Sequence, residues 1–314
     1  MDSRLNNTTP LSPAVSGFIY ALIAYVLWGA FPLYFALLDS VSPIEVVAHR
    51  VIWSLVFLLG ILAVTRGWSS LGSVFKSRRA MLLLALAAIA ITVNWTTYVY
   101  AVSINQVVES SLGYFINPLV SVALGVLILS EKLRTGQWTA VVIATLGVVI
   151  IGIGAGTIPY IGLVLAFSFG TYGLVKKMAG VSAIPGLTIE TMILFPIAAG
   201  VLAFAEIQGS AAFIVDGPGI SILLLLLGPI TAIPLLAYVG GANRLPLSTL
   251  GIMQYLTPTV LFILGITVFG QSVTLVEWIG YSTIWAALAL FSFDTIRHSG
   301  RPNRSDQLEV TEPT

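Results

Sequence analysis

Apolar residues run along this chain in ten long stretches, each closed by a polar, charged or Pro/Gly-containing break. The stretches cover roughly 17–38, 44–65, 80–101, 110–130, 137–154, 159–178, 187–206, 219–240, 246–269 and 274–296. Each is close to the ~20 apolar residues that cross a bilayer core as an α-helix. The pattern predicts an all-α integral membrane protein of ten transmembrane helices. Most breaks are short, so most consecutive helices are expected to be antiparallel neighbours. MDSRLNNTTPLSP lacks a basic stretch running into a short apolar one, so it reads as a tail, residues 1–16, rather than a cleavable signal. Residues 298–314 read as a second polar tail.

Composition strengthens this picture. Of 314 residues, 57% are hydrophobic and 9% charged, against about 25% charged in a soluble domain. The net charge of +1 gives no reason to expect a nucleic-acid partner. The chain has no cysteine, which excludes disulfides and thiol chemistry. GIGAG at 152–156 lacks the Lys-Ser/Thr of a phosphate-binding loop, so ATP is not expected to drive the protein directly. Two histidines make no metal-ligand cluster. The expectation is no cofactor and no metal. The partners are a small-molecule substrate and the lipid bilayer, with a homo-oligomer left open.

Basic residues set a direction, because Lys and Arg stay on the cytoplasmic side of short loops. With the N-terminus inside, the inner segments hold Arg4, Arg66, Lys76, Arg78, Arg79, Lys132, Arg134, Lys176, Lys177, Arg244, Arg297, Arg301 and Arg304. The outer loops hold only acids: Asp39, Glu109, Glu206, Asp216 and Glu277. Both termini are therefore expected in the cytoplasm, with the protein multi-pass in the plasma (inner) membrane. The remaining basic residue is Arg50, inside a span.

The chain also repeats itself. At an offset of 140, Pro118 falls on Pro258, Leu124 on Leu264, Gly125 on Gly265, Trp138 on Trp278, and Phe115 on Tyr255. At an offset of 141, Trp28-Gly29 meets Phe169-Gly170, and Glu190 meets His49. Two five-helix repeats follow, residues 17–155 and 156–297. An odd number of spans makes the second enter from the opposite side, giving an inverted repeat suited to alternating access. An old duplication kept for packing alone would leave the same pattern.

Six strings carry a family resemblance: AHRVIWS (48–54), NW (94–95), ESSLGYFINPLVSVALG (109–125), AFSFGTYGLVKK (166–177), IETM (189–192) and STLGIMQYLTPT (248–259). They resemble the RarD branch of the EamA group, in the drug/metabolite transporter superfamily, and the resemblance covers residues 17–296. It implies a permease rather than an enzyme. It also implies ten helices, cytoplasmic termini, and a central cavity walled by spans 1–4 and 6–9, with spans 5 and 10 peripheral. RarD-like proteins are named for chloramphenicol sensitivity, which supplies no physiological substrate. The family commonly ends its fourth and ninth spans with Gly-Glu. This chain has Ser130-Glu131 and Gly270-Gln271 instead, which puts a gating role for that pair in doubt.

Arg50 carries the functional expectation. An arginine at the centre of a lipid-facing helix costs roughly 2.5–3.5 kcal/mol on insertion scales. Rising about 1.5 Å per residue from Ile44, Arg50 lies about 9 Å deep from the outer end. His49, Asn94, Tyr114 and Asn117 fall near that level, and Glu45 one turn above His49. These residues are candidates for the outer half of a substrate cavity, with Arg50 reading an anionic or carboxylate group. Snorkelling to the headgroups and a structural pair with Glu45 or Glu109 are the alternatives to this reading. Near the inner end, Glu190, Gln254, Tyr255 and Tyr238 form a second set, and Trp28 sits mid-span. Glu190 is a candidate for proton coupling or for an interfacial hydrogen bond. It is expected to lie too far from Arg50 for a salt bridge.

Pro118 and Pro258 are hinge candidates, with Phe115 and Tyr255 one turn away as aromatic gates. Gly162, Ala166 and Gly170 form a small-residue stripe for close helix approach. The function expected is a secondary transporter for a small organic metabolite, with export of drug-like amphipathic compounds as the alternative. An intramembrane enzyme would have to rely on His49 with Glu45. A membrane scaffold would need neither.

Overall fold

The structure, a computed structural model, describes residues 12–103, 107–155, 160–268 and 274–299. Among them the regular structure is helical throughout. In chain order the helices are α1 (Pro13–Phe35, extended by a 3-10 turn at Ala36–Leu38), α2 (Pro43–Thr65), α3 (Trp68–Phe75), α4 (Arg78–Ser103), α5 (Val107–Leu127) and α6 (Thr135–Ala155). They continue with α7 (Tyr160–Ala179), α8 (Ala183–Ile207), α9 (Pro218–Ala242), α10 (Leu247–Met253), α11 (Leu256–Thr267) and α12 (Leu275–Ser299). Eight described segments are long and apolar enough to cross a membrane, and Gly113–Leu127 of α5 is a shorter apolar helix. The substituted pair Gly270-Gln271 lies outside the described residues.

Local chemistry sets several helix ends. Ser12 caps α1 by accepting from the Val15 amide at 3.3 Å, and Pro13 occupies the first turn, where a missing N–H costs nothing. Pro43 and Pro218 open α2 and α9 in the same way. The end of α2 turns through Arg66 in a left-handed conformation (φ 52°), and the Gly67 amide returns to Leu62 O at 3.0 Å.

Two features depart from the apolar pattern. Helix α3 occupies part of the polar break after α2. The stretch 246–269 is two helices rather than one, interrupted at Gln254–Tyr255. Pro258 explains the interruption: lacking an N–H, it cannot bond the Gln254 carbonyl, which accepts from the Thr257 amide at 3.0 Å instead. Its partner in the sequence repeat, Pro118, lies inside the continuous helix α5. The two proposed hinges thus differ in local structure.

The helices divide into two compact units. One holds α6 and α12. There Gly147 and Gly280 bring the two backbones together, so that a Cβ on Gly147 would lie 3.0 Å from Gly280 O. Arg134 Nε donates to Asp294 Oδ2 at 2.8 Å in the same unit. The other unit holds the remaining ten helices. Its principal pairs join one chain half to the other: α1 with α9 and α11, α2 with α8 and α9, α4 with α7 and α8, and α5 with α7 and α10.

The close approach of α5 to α7 uses the small-residue stripe. A Cβ on Gly113 would lie 2.8 Å from Gly162 O, and one on Gly170 would lie 2.8 Å from Val120 Cγ1. Gly113→Val must push two backbones apart, and overpacking of this kind costs about 1–3 kcal/mol or more. The expected result is a lowered thermal midpoint in detergent. An unchanged midpoint would mean that the helices separate freely.

Glu131 organises the far end of α5. Its carboxylate accepts from the Leu247 amide at 2.6 Å, the Ser248 amide at 2.9 Å and Ser248 Oγ at 2.7 Å, capping α10. An anion there satisfies amides that lack intrahelical acceptors. Glu131→Ala is expected to cost about 1–2 kcal/mol, read as faster amide exchange confined to residues 247–250.

Candidate functional site

Arg50 projects from α2 into a cavity inside the ten-helix unit. The cavity has a volume of about 150 Å³. Trp28, Phe31 and Phe35 wall it from α1, and Asn94, Trp95 and Tyr98 from α4. Tyr114 and Asn117 enter from α5, Phe169 from α7, Gln254 from the interruption between α10 and α11, and Thr257 from the first turn of α11. The helix break therefore delivers two polar side chains to a space that a continuous span would line with one face.

Three aromatic rings surround the guanidinium. Its central carbon lies 4.5 Å from the Trp95 ring centre, 5.6 Å from Phe35 and 5.9 Å from Phe31. These are cation–π distances, and such contacts steady a cation without neutralising it. Arg50 Nε donates to Thr231 Oγ1 of α9 at 3.1 Å. No carboxylate among the described residues pairs with Arg50. The planar group is held by its edge and its faces, and its terminal amino groups are left without an acid.

Other polar groups of the site are fixed from behind. Asn94 Nδ2 donates to Leu165 O at 2.9 Å and to Ser168 Oγ at 3.1 Å, tying α4 to α7. Asn117 is buried, and its Oδ1 has no hydrogen-bond partner. A buried acceptor without a donor marks a place for a water or a ligand group. On the α1 side, Trp28 meets Phe169 edge to face at 5.4 Å and Tyr238 at 5.6 Å. Tyr238 stacks on Tyr172 at 6.1 Å and 22°, so an aromatic layer closes this side of the cavity.

Of the expected cavity residues, Trp28, Arg50, Asn94, Tyr114, Asn117 and Gln254 line this space together. Three stand elsewhere. His49 is next to Arg50 in sequence, but neighbours on a helix point about 100° apart. Its ring lies parallel to Trp53, accepts from Trp53 Nε1 at Nδ1 (3.0 Å), and approaches Glu45 Oε1 at 3.6 Å. Glu45 in turn accepts from the Ala212 amide at 2.8 Å, pinning the connection between α8 and α9. Tyr255 is buried at the N-cap of α11. Phe115 is likewise buried.

Glu190 is the third. It forms a buried ion pair with Lys176, and Tyr172 Oη donates to its other oxygen at 3.3 Å. Among the described ion pairs Glu190 is joined to Lys176 and not to Arg50. The sequence marks Lys176 and Lys177 as basic residues of an inner segment, at the end of the apolar stretch 159–178. Both belong to the last turn of α7, with Lys176 buried and Lys177 donating to the Ala242 and Leu245 carbonyls. Sequence reasoning missed Phe31, Phe35, Trp95 and Tyr98. The signal for the first two was the spacing of Trp28, Phe31 and Phe35, which shares one helical face.

A larger groove, about 880 Å³, opens at the end of the unit where α2 meets α3 and α9 ends. Ile61, Ile184, Ile233 and Leu236 give it an apolar floor, and Arg244, exposed over the Tyr20 ring, brings a charge to its rim. The smaller cavity carries the buried polar chemistry.

Comparison with known proteins agrees with the helical architecture. The profile of the EamA-like transporter family matches residues 15–153. The protein RarD of Streptomyces exfoliatus is 42% identical over 95% of this chain and 94% of its own length. The uncharacterized transporter YojE of Bacillus subtilis strain 168 is 44% identical over 90% of this chain and 95% of its own. A solved protein crystal structure superimposes with a TM-score of 0.68 at 17% identity, covering 92% of this chain and 99% of that one, which shows a shared fold. Apolar helices, a polar cavity and relatives that match end to end converge on one assignment: the chain belongs to the EamA transporter family as a RarD-like multi-pass membrane transporter.

Proposed function

We propose that this transporter is a secondary permease that moves a small organic solute bearing a carboxylate or other anionic group across the plasma membrane by alternating access. The observation that carries the proposal is Arg50: a charged guanidinium that borders a cavity, is steadied by three rings, and has no acid partner among the described residues. An approaching anion would meet two free amino groups in a planar fork, geometry that favours carboxylates. Asn117 Oδ1 would take a donor from the same solute. The cavity volume, about 150 Å³, resembles that of an engineered cavity that binds benzene. A solute group near that size fits this state.

Ten spans, arranged as two inverted repeats with both termini cytoplasmic, provide the frame. The packing supports it: exchanging each span with its repeat counterpart turns the pair α1–α9 into α7–α4, and α5–α7 into α11–α1, both of which occur. A reporter active only in the cytoplasm, fused after Thr314, is expected to be active; a silent reporter contradicts this orientation. Export of amphipathic, drug-like compounds is the second candidate, favoured by the ring-lined walls from Trp28, Phe31, Trp95 and Phe169.

The test is direct. Purified protein is screened for thermal stabilisation by amino acids, organic acids and amphipathic drugs, and hits are followed as flux in loaded vesicles. Saturable flux of an anionic hit supports the proposal. Stabilisation by uncharged or cationic amphiphiles alone supports the second candidate. Chemical turnover in detergent without flux rejects both.

A further inference from the structure

The cavity around Arg50 has a counterpart that is closed. Between Phe35 and the α2 cap Ser42 the chain is one residue longer than between Lys176 and the α8 cap Ser182. The repeat offset therefore falls from 141 in α1 and α7 to 140 from α2 and α8 onward. The 140 offset of Pro118/Pro258 and Trp138/Trp278 continues it. In this register Glu190 corresponds to Arg50 rather than to His49.

Some cavity residues then pair with one another. Trp28 corresponds to Phe169, and Asn117 to Thr257, and all four line the same space. Trp95 with Leu235, and Tyr114 with Gln254, do the same. These pairs mark the centre of the repeat relationship. Of the other lining residues, five from the first repeat have counterparts that do not line this space. Phe31, Phe35, Val47, Arg50 and Tyr98 correspond to Tyr172, Lys176, Leu187, Glu190 and Tyr238. None of those five counterparts is more than 3% exposed.

The contacts correspond as well. Arg50 sits against Phe31 and Phe35 on the open side. In the equivalent positions Glu190 is bound by Tyr172 and Lys176. A buried acid, a buried lysine and two buried tyrosines are costly to hold away from water, and a second state in which they meet water would account for their presence.

We infer that Tyr172, Lys176, Glu190 and Tyr238 are the collapsed form of a second vestibule, opening to the opposite side of the membrane. The Lys176–Glu190 pair is its lock. When the lock opens, Lys176 is the cation that receives an anionic group of the solute, in place of Glu190. This rests on the alternating-access function proposed above and adds a second binding position to it.

The absence of cysteine makes the test clean. Val47→Cys reports the open vestibule and Leu187→Cys its counterpart. Each is reconstituted in vesicles of known orientation and treated with a membrane-impermeant charged maleimide from either side. Val47→Cys is expected to react from one side and Leu187→Cys, more slowly, from the other. Adding Glu190→Gln should speed labelling at 187 at least fivefold and slow it at 47. In the Glu190→Gln background, benzoate, as an anionic probe, should slow labelling at 187. With Lys176→Met added, benzoate should have no effect. Labelling of both positions from the same side, or an inert position 187 in protein with measurable flux, overturns the second vestibule. Benzoate effects that are equal with and without Lys176, or absent in both, overturn the role of Lys176. Absence of flux for every solute in the screen, with both cysteines labelled as expected, would instead count against the transported solute class.

Discussion

Arg50→Gln is expected to leave the protein folded while weakening anionic solute binding about tenfold to a hundredfold. The range follows from the loss of a charge-assisted hydrogen bond, about 1.5–3 kcal/mol, at roughly 1.4 kcal/mol per tenfold. Folding should survive because Arg50 has no acid partner among the described residues, so its removal strands no described carboxylate. Glutamine retains a donor in reach of Thr231. Arg50→Lys is the sharper comparison. It keeps the charge but loses the planar face against Trp95 and the edge bond to Thr231. Transport reduced in both variants, with a normal folded yield, supports recognition by the guanidinium. Loss of the folded protein in Arg50→Gln would mean that Arg50 is structural. The measurements are size-exclusion yield and initial flux rate.

The second large effect is expected at Lys176, this time in stability. Lys176→Met leaves the Glu190 carboxylate buried, with Tyr172 as its remaining hydrogen-bond donor. Removing one member of a buried ion pair costs about 3–5 kcal/mol, whereas replacing both by apolar groups is often neutral. Lys176→Met should lower the thermal midpoint of this state clearly, and Lys176→Met with Glu190→Met should recover most of the loss. A double variant no better than the single one would show that the two groups do not act as a pair. Such non-additivity is what a double-mutant cycle detects.

Much of the helical pattern was legible because it depends on apolar run length. The same rule failed where apolarity hides a break. Residues 246–269 read as one span because Pro258 is as apolar as its neighbours, and only its missing N–H interrupts the hydrogen bonding near Gln254. Depth along a helix brought Arg50, Asn94, Tyr114 and Asn117 to one level, and the structure gathers them in one cavity. Depth says nothing about azimuth, which is why His49 was placed in that group and stands instead against Glu45 and Trp53. The role of Lys176 was not legible for another reason. A lysine near the end of an apolar run looks like a loop marker, and its buried partner lies on the next helix, in α8. Glu190 was grouped by depth with Gln254, Tyr255 and Tyr238, whereas its partners are Lys176 and Tyr172.

The family was readable from strings on α2, α4, α5, α7, α8 and α10–α11. Those helices meet in the ten-helix unit, and all but the buried stretch around Glu190 reach the cavity wall. The spacing of Trp28, Phe31 and Phe35 puts them on one face of α1, but whether that face meets lipid or Arg50 is decided only when α1 is docked against α9 and α11.

The central claim is that Arg50 presents a positive charge to a chamber that water and solute can reach. Arg50→Cys, the only thiol in the chain, tests it most directly. Its modification with aminoethyl methanethiosulfonate, which restores a positive charge, should recover anionic solute flux. Sulfonatoethyl methanethiosulfonate, which adds a negative charge, should not. A thiol that neither reagent reaches, or flux recovered equally by both, would contradict the claim.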